Sequence, residues 1–382
     1  MPEWTDVVLG AEIDLAYGKS LPAHTRQAGH FEVFGSNGRV GHHTQPLIRG
    51  PGIIVGRKGS VGEIVYSASD FWPIDTTYYV VNKGRHDWRF LYHLLSSLGL
   101  DKLNSHSAVP GLNREDVYSI PTKLPPKAEQ EQIALSLDTV QCSMEFESEA
   151  IQRSQELKRA TMRELFTRGL RGDAQKETEI GPVPESWDLT PCEQIFKLTS
   201  GKTRPSDLDD TSTEERPFPV LGGNGVMGFS REWHLDAPRT LIIGRVGEYC
   251  GAIHTASGKI WITDNALYAK EWYNPNADLG FVAAFLEHFD LNRFKRMAGQ
   301  PLVTQGMINE HKLPLPQTLD EQLEITSIFG AIDRKIDLHR NKRALLDDLF
   351  EVLLHKLMTG EIRVADLGVS ALAPVRVAEA AQ

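Results

Sequence analysis

Gly-Lys-Ser and Gly-Lys-Thr stand at Gly18-Lys19-Ser20 and Gly201-Lys202-Thr203, the ending of a loop that cradles phosphate. Such a loop needs a further glycine five places earlier, so that backbone N–H groups can close on the phosphates. Ile13 and Phe196 hold those places, and neither copy reads as a nucleotide site. Gly56-x-x-Gly59-x-x-Gly62 has neither the spacing nor the helix of a dinucleotide fingerprint and reads as turn glycines between strands. Methyl transfer to a base would need a cofactor glycine loop and an Asn/Asp-Pro-Pro-aromatic motif. The nearest string, Asn274-Pro275-Asn276, lacks the second proline and the aromatic. His42-His43 has no acidic or cysteine companion at metal spacing. Glu156 and Lys158 could seed a Glu-x-Lys nuclease cluster, but they fall on a helical stretch and read as a solvated face. The chain reads as non-catalytic.

Turn chemistry with polar and basic tips is what does recur. Ser36-Asn37-Gly38-Arg39 and Gly223-Asn224-Gly225 are Asn-Gly turns between apolar runs. Arg57-Lys58 and Arg245 follow the next strand in each half. Asn can pair bidentately with adenine and Arg with guanine, while Lys positions on phosphate. The candidate DNA-contacting residues are therefore Lys19, Ser36, Asn37, Arg39, Arg57, Lys58, Lys202, Asn224 and Arg245. Residue by residue, hairpin geometry explains an Asn-Gly as well as base reading does. The whole pattern carries the functional reading.

These tips belong to a unit written twice. Pro2-Glu3 near Trp4 answers Pro184-Glu185-Ser186-Trp187, and Gly18 answers Gly201, both at an offset of 183 (187 − 4 and 201 − 18). Val33–Gly41 then answers Val220–Gly228, Ile53–Arg57 answers Leu241–Arg245, Trp72-x-x-Asp75 answers Trp261-x-x-Asp264, and Glu129-Gln130 answers Glu321-Gln322. The order is kept throughout, and small loop insertions explain the drift in offset.

Each half opens with short strand-like runs: GIIVGRKG, EIVYSA and TTYYVV, then TLIIGRVG, AIHTA and KIWIT. Short helical stretches follow, WRFLYHLLSSLGL and LGFVAAFLEHFDLNRF. Prolines at 121, 125 and 126, and at 314 and 316, mark entry to a helix. Apolar residues then recur at spacings of three and four: Ile133, Leu137, Val140, Met144, Leu157, Leu165 and Phe166, and Ile325, Phe329, Ile332, Ile336, Leu345, Leu349, Leu353 and Leu357. Each stretch is about 40 residues, or roughly 60 Å as a helix. Gly169 and Gly360 are the expected stops. Two such helices bury each other's stripes most simply as an antiparallel pair; packing of each on its own domain is the simpler alternative. Acids crowd the start of the first helix and bases its end (Glu129 and Asp138 against Arg163 and Arg168), which suits the helix dipole. The predicted division is 1–126, a first globular domain; 127–172, a long helix; 173–318, a linker (173–183) and second domain; 319–363, a second long helix; and 364–382, a disordered tail. The fold class is α+β with an internal pseudo-twofold repeat.

The chain of 382 residues carries a net charge of -10, which argues against a protein coated in nucleic acid but hides local patches. Its three cysteines have no metal spacing, and a reduced, cytoplasmic setting is expected. The opening MPEWTDVVLGAEIDL has acids within its apolar stretch and does not read as a signal peptide. No run approaches the roughly 18 apolar residues of a membrane span, so no membrane partner is expected.

The phrases Ile180-Gly181-Pro182-Val183-Pro184-x-x-Trp187, Leu313-Pro314-Leu315-Pro316 leading to Glu321-Gln322, the run Ile325 to Ile336, and Leu357-Met358-Thr359-Gly360-Glu361-Ile362 together resemble the specificity subunit of type I restriction–modification systems. Val109-Pro110-Gly111-Leu112-Asn113, Leu124-Pro125-Pro126 and Glu129-Gln130 fit the same pattern in the first half. The first helix departs at its end, with Phe166-Thr167-Arg168-Gly169 in place of a leucine-rich close. The resemblance covers about residues 1–363. It implies two α/β target recognition domains, each reading one half of a bipartite site in double-stranded DNA, with the long helices forming a coiled coil that sets the gap. It implies a recognition subunit that binds no cofactor itself and serves two modification (methyltransferase) subunits using S-adenosylmethionine, and a restriction (motor and nuclease) subunit using ATP and Mg. Two alternatives remain at this stage: a specificity subunit of another restriction type, cutting on both sides of its site, and a coiled-coil scaffold that does not bind DNA.

Overall fold

A computed structural model describes residues 3–104, 111–291 and 302–367. Val109-Pro110, Asn292–Phe294 and the tail beyond residue 367 lie outside the described residues. The first copy carries β1 (Thr5–Val8), α1 (Leu9–Glu12), β2 (Ile13–Tyr17), β3 (Phe31–Gly35), β4 (Gly38–His43), β5 (Gly52–Gly56), β6 (Ile64–Ser67), β7 (Phe71–Pro73), β8 (Thr77–Asn82), α2 (Trp88–Ser97), α3 (Arg114–Tyr118), β9 (Pro121–Leu124) and the long α4 (Lys127–Arg168). The second carries β10 (Gln175–Thr178), β11 (Gly181–Pro184), β12 (Asp188–Pro191), α5 (Cys192–Ile195), β13 (Phe196–Ser200), β14 (Phe218–Gly222), β15 (Gly225–Ser230), β16 (Leu235–Gly244), β17 (Ile253–Ile262), β18 (Ala266–Trp272), α6 (Leu279–Phe289), α7 (Gln305–Asn309), β19 (Lys312–Leu315) and the long α8 (Leu319–Thr359). Both long helices stop before a glycine in the left-handed region, Gly169 and Gly360 (φ 63° and 72°).

The chain divides into two compact units, Met1–Ser148 with Asn341–Gln382, and Glu149–Arg340. Neither is a continuous segment, because each long helix contributes one half to each unit. In the first unit the core around Leu9, Ile53 and Phe90 takes Ile133 and Leu137 from α4 and Leu357 and Met358 from α8. In the second, the core around Trp187, Phe196 and Phe281 takes Met162 and Phe166 from α4 and Ile325 and Phe329 from α8. The buried parts of the helical stripes therefore pack on the globular domains, as the simpler alternative expected. The ends of each stripe are buried in a globular core, while Leu157 and Leu345 remain 53% and 69% exposed. Within each unit the two helices run antiparallel: Glu147 pairs with Lys342 in one, and Lys158 with Asp333 in the other. Phe166, the departure from a leucine-rich close, is the hub of an aromatic cluster, with ring centroids 5.1–5.6 Å from Phe281, Phe285 and Phe329.

Sheet topology repeats with one merger. The first unit has a four-stranded sheet β2-β8-β5-β6 and a three-stranded sheet β4-β3-β7; the second has one six-stranded sheet, β13-β18-β16-β17-β14-β15. The runs AIHTA and KIWIT, expected as two strands, form the single β17, which does the work of β6 and β7 together. Its C-terminal end pairs in parallel with β14, as β7 does with β3. Residues 173–183, expected as a linker, instead form most of a hairpin, β10 on β11. Thr178 closes its turn, with its hydroxyl donating to the Gly181 carbonyl at 2.6 Å and accepting from Ile180 N–H at 3.3 Å.

Two latches recur where the globular parts meet the long helices. Buried Gln130 accepts from the Asp87 N–H (3.0 Å) and donates to the Pro125 carbonyl (2.9 Å). Buried Gln322 accepts from the Asp278 N–H (2.8 Å) and donates to the Asn276 and Pro316 carbonyls. Asp87 and Asp278 are the N-caps of α2 and α6. Beside each latch a tryptophan donates to a glutamate, Trp4 to Glu129 and Trp187 to Glu321, both at 3.3 Å.

These latches align the two seams, and the seams differ. In the first unit Arg89 lies over Tyr66 and Tyr92 (4.6 and 5.2 Å), and both Arg89 and His93 bond Asp138 of α4. The corresponding positions in the second unit are Gly280, Thr255, Ala283, Ala284 and Gly330, which line a cleft of about 180 Å³ together with Lys158, Glu287 and Asp333. Burial works to raise the Asp138 pKa, but hydrogen bonds from His93 and Arg89 together outweigh it and hold the carboxyl below its ordinary value. A carboxyl lowered on folding adds stability above its unfolded pKa and loses it as pH falls through the folded one. Asp138→Asn is expected to lower stability of this unit at pH 7 by about 1.5–3 kcal/mol. Denaturant melts of both proteins should converge as pH drops below the carboxylate range.

Candidate nucleic-acid interface

One loop in each unit gathers the basic tips. In the first it is Pro73–Thr77. The Pro73 carbonyl accepts from Lys19 N–H (2.9 Å), the Thr76 carbonyl from Arg57 and Lys58 N–H (3.0 and 3.1 Å), and Ile74 N–H donates to Phe34 (2.9 Å). In the second it is Ile262–Ala266. The Ile262 carbonyl accepts from Lys202 N–H (2.9 Å), the Asn265 carbonyl from Arg245 N–H (2.9 Å), and Thr263 N–H donates to Leu221 (2.8 Å). The same backbone frame thus holds Lys19, Arg57 and the β3 strand, and again Lys202, Arg245 and the β14 strand.

The repeated Gly-Lys pair has its cause here. A Cβ on Gly18 would fall 2.1 Å from the Ile74 carbonyl, and one on Gly201 2.2 Å from the Thr263 carbonyl. Glycine is required so that the lysine-bearing strand can touch the hub loop, not so that a phosphate can be wrapped. The glycines before the loop arginines serve alike: a Cβ on Gly56 would meet the Ser60 carbonyl at 2.0 Å, and one on Gly244 the Tyr249 carbonyl at 2.2 Å.

The Asn-Gly hairpins form with a different turn from the two-residue pattern the dipeptide suggests. Gly35 pairs with Gly38 and Gly222 with Gly225, and the register shifts one residue later in each. Gly38 and Gly225 are left-handed (φ 92° and 87°), whereas Asn37 and Asn224 are not. This is a turn closed by a glycine bulge, and it leaves both asparagines exposed at the tips.

The nine candidate residues fare differently. Lys19, Asn37, Lys58, Lys202 and Asn224 are exposed. Ser36 is half-buried, its hydroxyl 3.2 Å from where a Gly59 Cβ would lie, which brings the hairpin tip beside the Arg57 loop. Arg39 is exposed but paired with Glu32 at 2.8 Å. Arg57 is half-buried: its guanidinium donates to the Asp75 carbonyl at 2.6 Å and lies over Tyr17 at 5.2 Å. Arg245 donates to the Ser200 hydroxyl at 3.0 Å. Sequence reasoning missed Tyr17, 54% exposed, and Arg114, whose guanidinium also lies over that ring at 4.9 Å. Beneath them burial pushes the Tyr78 phenol up to about 12, so it stays neutral beside the two cations. Arg114 follows directly on the Val109–Asn113 phrase; that adjacency was the one available signal.

Among the described residues no group of three or more His, Cys, Asp or Glu side chains could hold a metal ion, and no helix is long and apolar enough to cross a membrane. The model of the type I restriction modification DNA specificity domain matches residues 3–159 and 184–347. A putative type I restriction enzyme MjaX specificity subunit of Methanocaldococcus jannaschii is 25% identical over 301 residues, 74% of this chain and 70% of that protein. The EcoprrI specificity subunit of Escherichia coli is 28% identical over 141 residues, 37% of this chain and 34% of that protein. In fold, the chain is similar to the type I restriction–modification S subunit from M. genitalium, with a TM-score of 0.69 at 19% identity, covering 93% of this chain and 96% of that one.

Proposed function

This chain belongs to the type I restriction modification DNA specificity family, and from that premise we propose that its two units read the two different halves of one bipartite double-stranded DNA site. It is a specificity subunit, which recognises sequence and leaves the chemistry to other subunits. One observation carries the two-half reading. Matching backbone bonds hold Lys19 and Arg57 in one unit and Lys202 and Arg245 in the other, while the tips they carry differ, Ser36-Asn37-Gly38-Arg39 against Gly223-Asn224-Gly225-Val226. A common frame with different tips suits two readers of unlike sequences. The exposed lysines suit phosphate contacts that position each frame.

Specificity subunits of this family assemble with DNA and with other restriction–modification subunits. In each unit the long-helix segments and the adjoining domain face would dock one modification subunit, which would bring S-adenosylmethionine, with a restriction subunit bringing ATP and Mg. The test is to map methylated adenines across a genome with and without this chain. Loss of one bipartite motif is the expected result; an unchanged methylation map would rule the reading out. Binding of the assembled complex to DNA should also weaken steeply as salt rises, because phosphate contacts release counterions.

A further inference from the structure

The loop arginines cannot tell the half-sites apart. Arg57 and Arg245 are the same residue held by matching backbone bonds, so what they read is common to both halves. Their Nε atoms are buried with no hydrogen-bond partner among the described residues. Asn37 and Asn224 are likewise identical between the halves, and Arg39 is held by Glu32.

A different position beside each loop arginine does change. Leu112 N–H donates to the Arg57 carbonyl and Val303 N–H to the Arg245 carbonyl, both at 3.0 Å. These matching bonds bring a short capped helix to the interface in each unit, α3 behind Asn113 and α7 behind Thr304. The first residue of α3 is Arg114 and of α7 is Gln305, both half-buried. The neighbouring strand end changes with it, Tyr17 in one unit and Ser200 in the other, at the same register of β2 on β8 and β13 on β18.

We propose that this position determines specificity in each half, Arg114 reading a guanine and Gln305 an adenine. The proposal rests on the two-half reading above and refines it. Arg114 is pre-organised for the task. Its guanidinium lies over the Tyr17 ring at 4.9 Å, and Nη1 donates to the Leu15 carbonyl at 3.2 Å. The ring contact and the carbonyl bond together restrain the guanidinium, and one carbonyl bond leaves further N–H groups for the guanine O6 and N7 acceptors. Gln305 offers an amide, whose donor and acceptor match adenine N7 and N6. Ser200, which accepts from Arg245, stands at the register that Tyr17 holds in the first unit.

The experiment uses the full chain assembled with its modification subunits. Binding is measured to duplexes carrying each of the four bases, one position at a time, across the motif that the wild-type complex methylates. Arg114→Ala is expected to erase a guanine preference of about 5- to 150-fold at one position of one half, and Gln305→Ala an adenine preference at one position of the other. Arg114→Lys, which keeps the charge and loses the planar fork, should retain overall affinity with a reduced guanine preference; it also serves if the alanine variant fails to fold. Uniform weakening across all duplexes, with every base preference kept, would make Arg114 a phosphate contact and overturn the proposal. So would unchanged preferences in both variants. A wild-type complex with no bipartite motif would instead overturn the two-half reading itself.

Discussion

Gln322→Ala should destabilise the second unit by about 3 kcal/mol or more. The side chain is fully buried and makes three hydrogen bonds, to the Asp278 N–H and the Asn276 and Pro316 carbonyls. Removing it strands these groups away from water, and each buried, unsatisfied polar group costs about 1–3 kcal/mol. The truncation also leaves a cavity next to the N-cap of α6. The loss should be local. Hydrogen exchange would show faster exchange at the Asp278 amide and the first turn of α6, with α2 unaffected; Gln130→Ala should reverse that pattern. If Gln322→Ala leaves exchange at Asp278 unchanged, the glutamine is not the latch. Gln322→Glu should be at least as damaging, because a carboxylate cannot donate to the two carbonyls.

This latch shows what could and could not be read from the chain. Glu129-Gln130 and Glu321-Gln322 stand out as a repeated phrase because their neighbours in sequence repeat too. Their task does not stand out. It depends on Asp87 and Asp278, each more than 40 residues away, and a polar residue at a helix start has many local explanations. The same holds for the interface. Gly18-Lys19 and Gly56-Arg57 are visible as repeated pairs because glycine is the one residue that lets the backbones touch the hub loop. The hub loop itself was visible only as Trp72-x-x-Asp75, with no hint that three strands converge on it. Tyr17 and Arg114 meet across 97 positions of sequence (114 − 17), and no local pattern marks such a pair. The helical stripes show a further limit. Periodicity says that one face is apolar, but it does not say that Ile133 and Leu357 enter a globular core while Leu345 stays at the surface.

Exchanging residues 1–126 for the corresponding part of another family member should change one half of the methylated motif and leave the other half intact. The structure adds conditions for the graft to fold. The first unit is completed by chain that would not be exchanged: Ile133 and Leu137 from α4, and Leu357 and Met358 from α8. The incoming domain must therefore present an apolar socket to those four side chains. It must also bring an N-cap whose N–H meets Gln130, and a tryptophan at the place of Trp4, which bonds Glu129 while Arg363 pairs with that same glutamate at 2.6 Å. A donor keeping these features should fold, since its new tips are carried on loops that do not touch the latch. Sequencing of methylated adenines then decides the matter. One altered half-site, at an unchanged distance from the other, is the expected outcome, because the long helices are retained. Alteration of both halves would mean that recognition is shared between the units, and separate frames for separate half-sites would have to be given up.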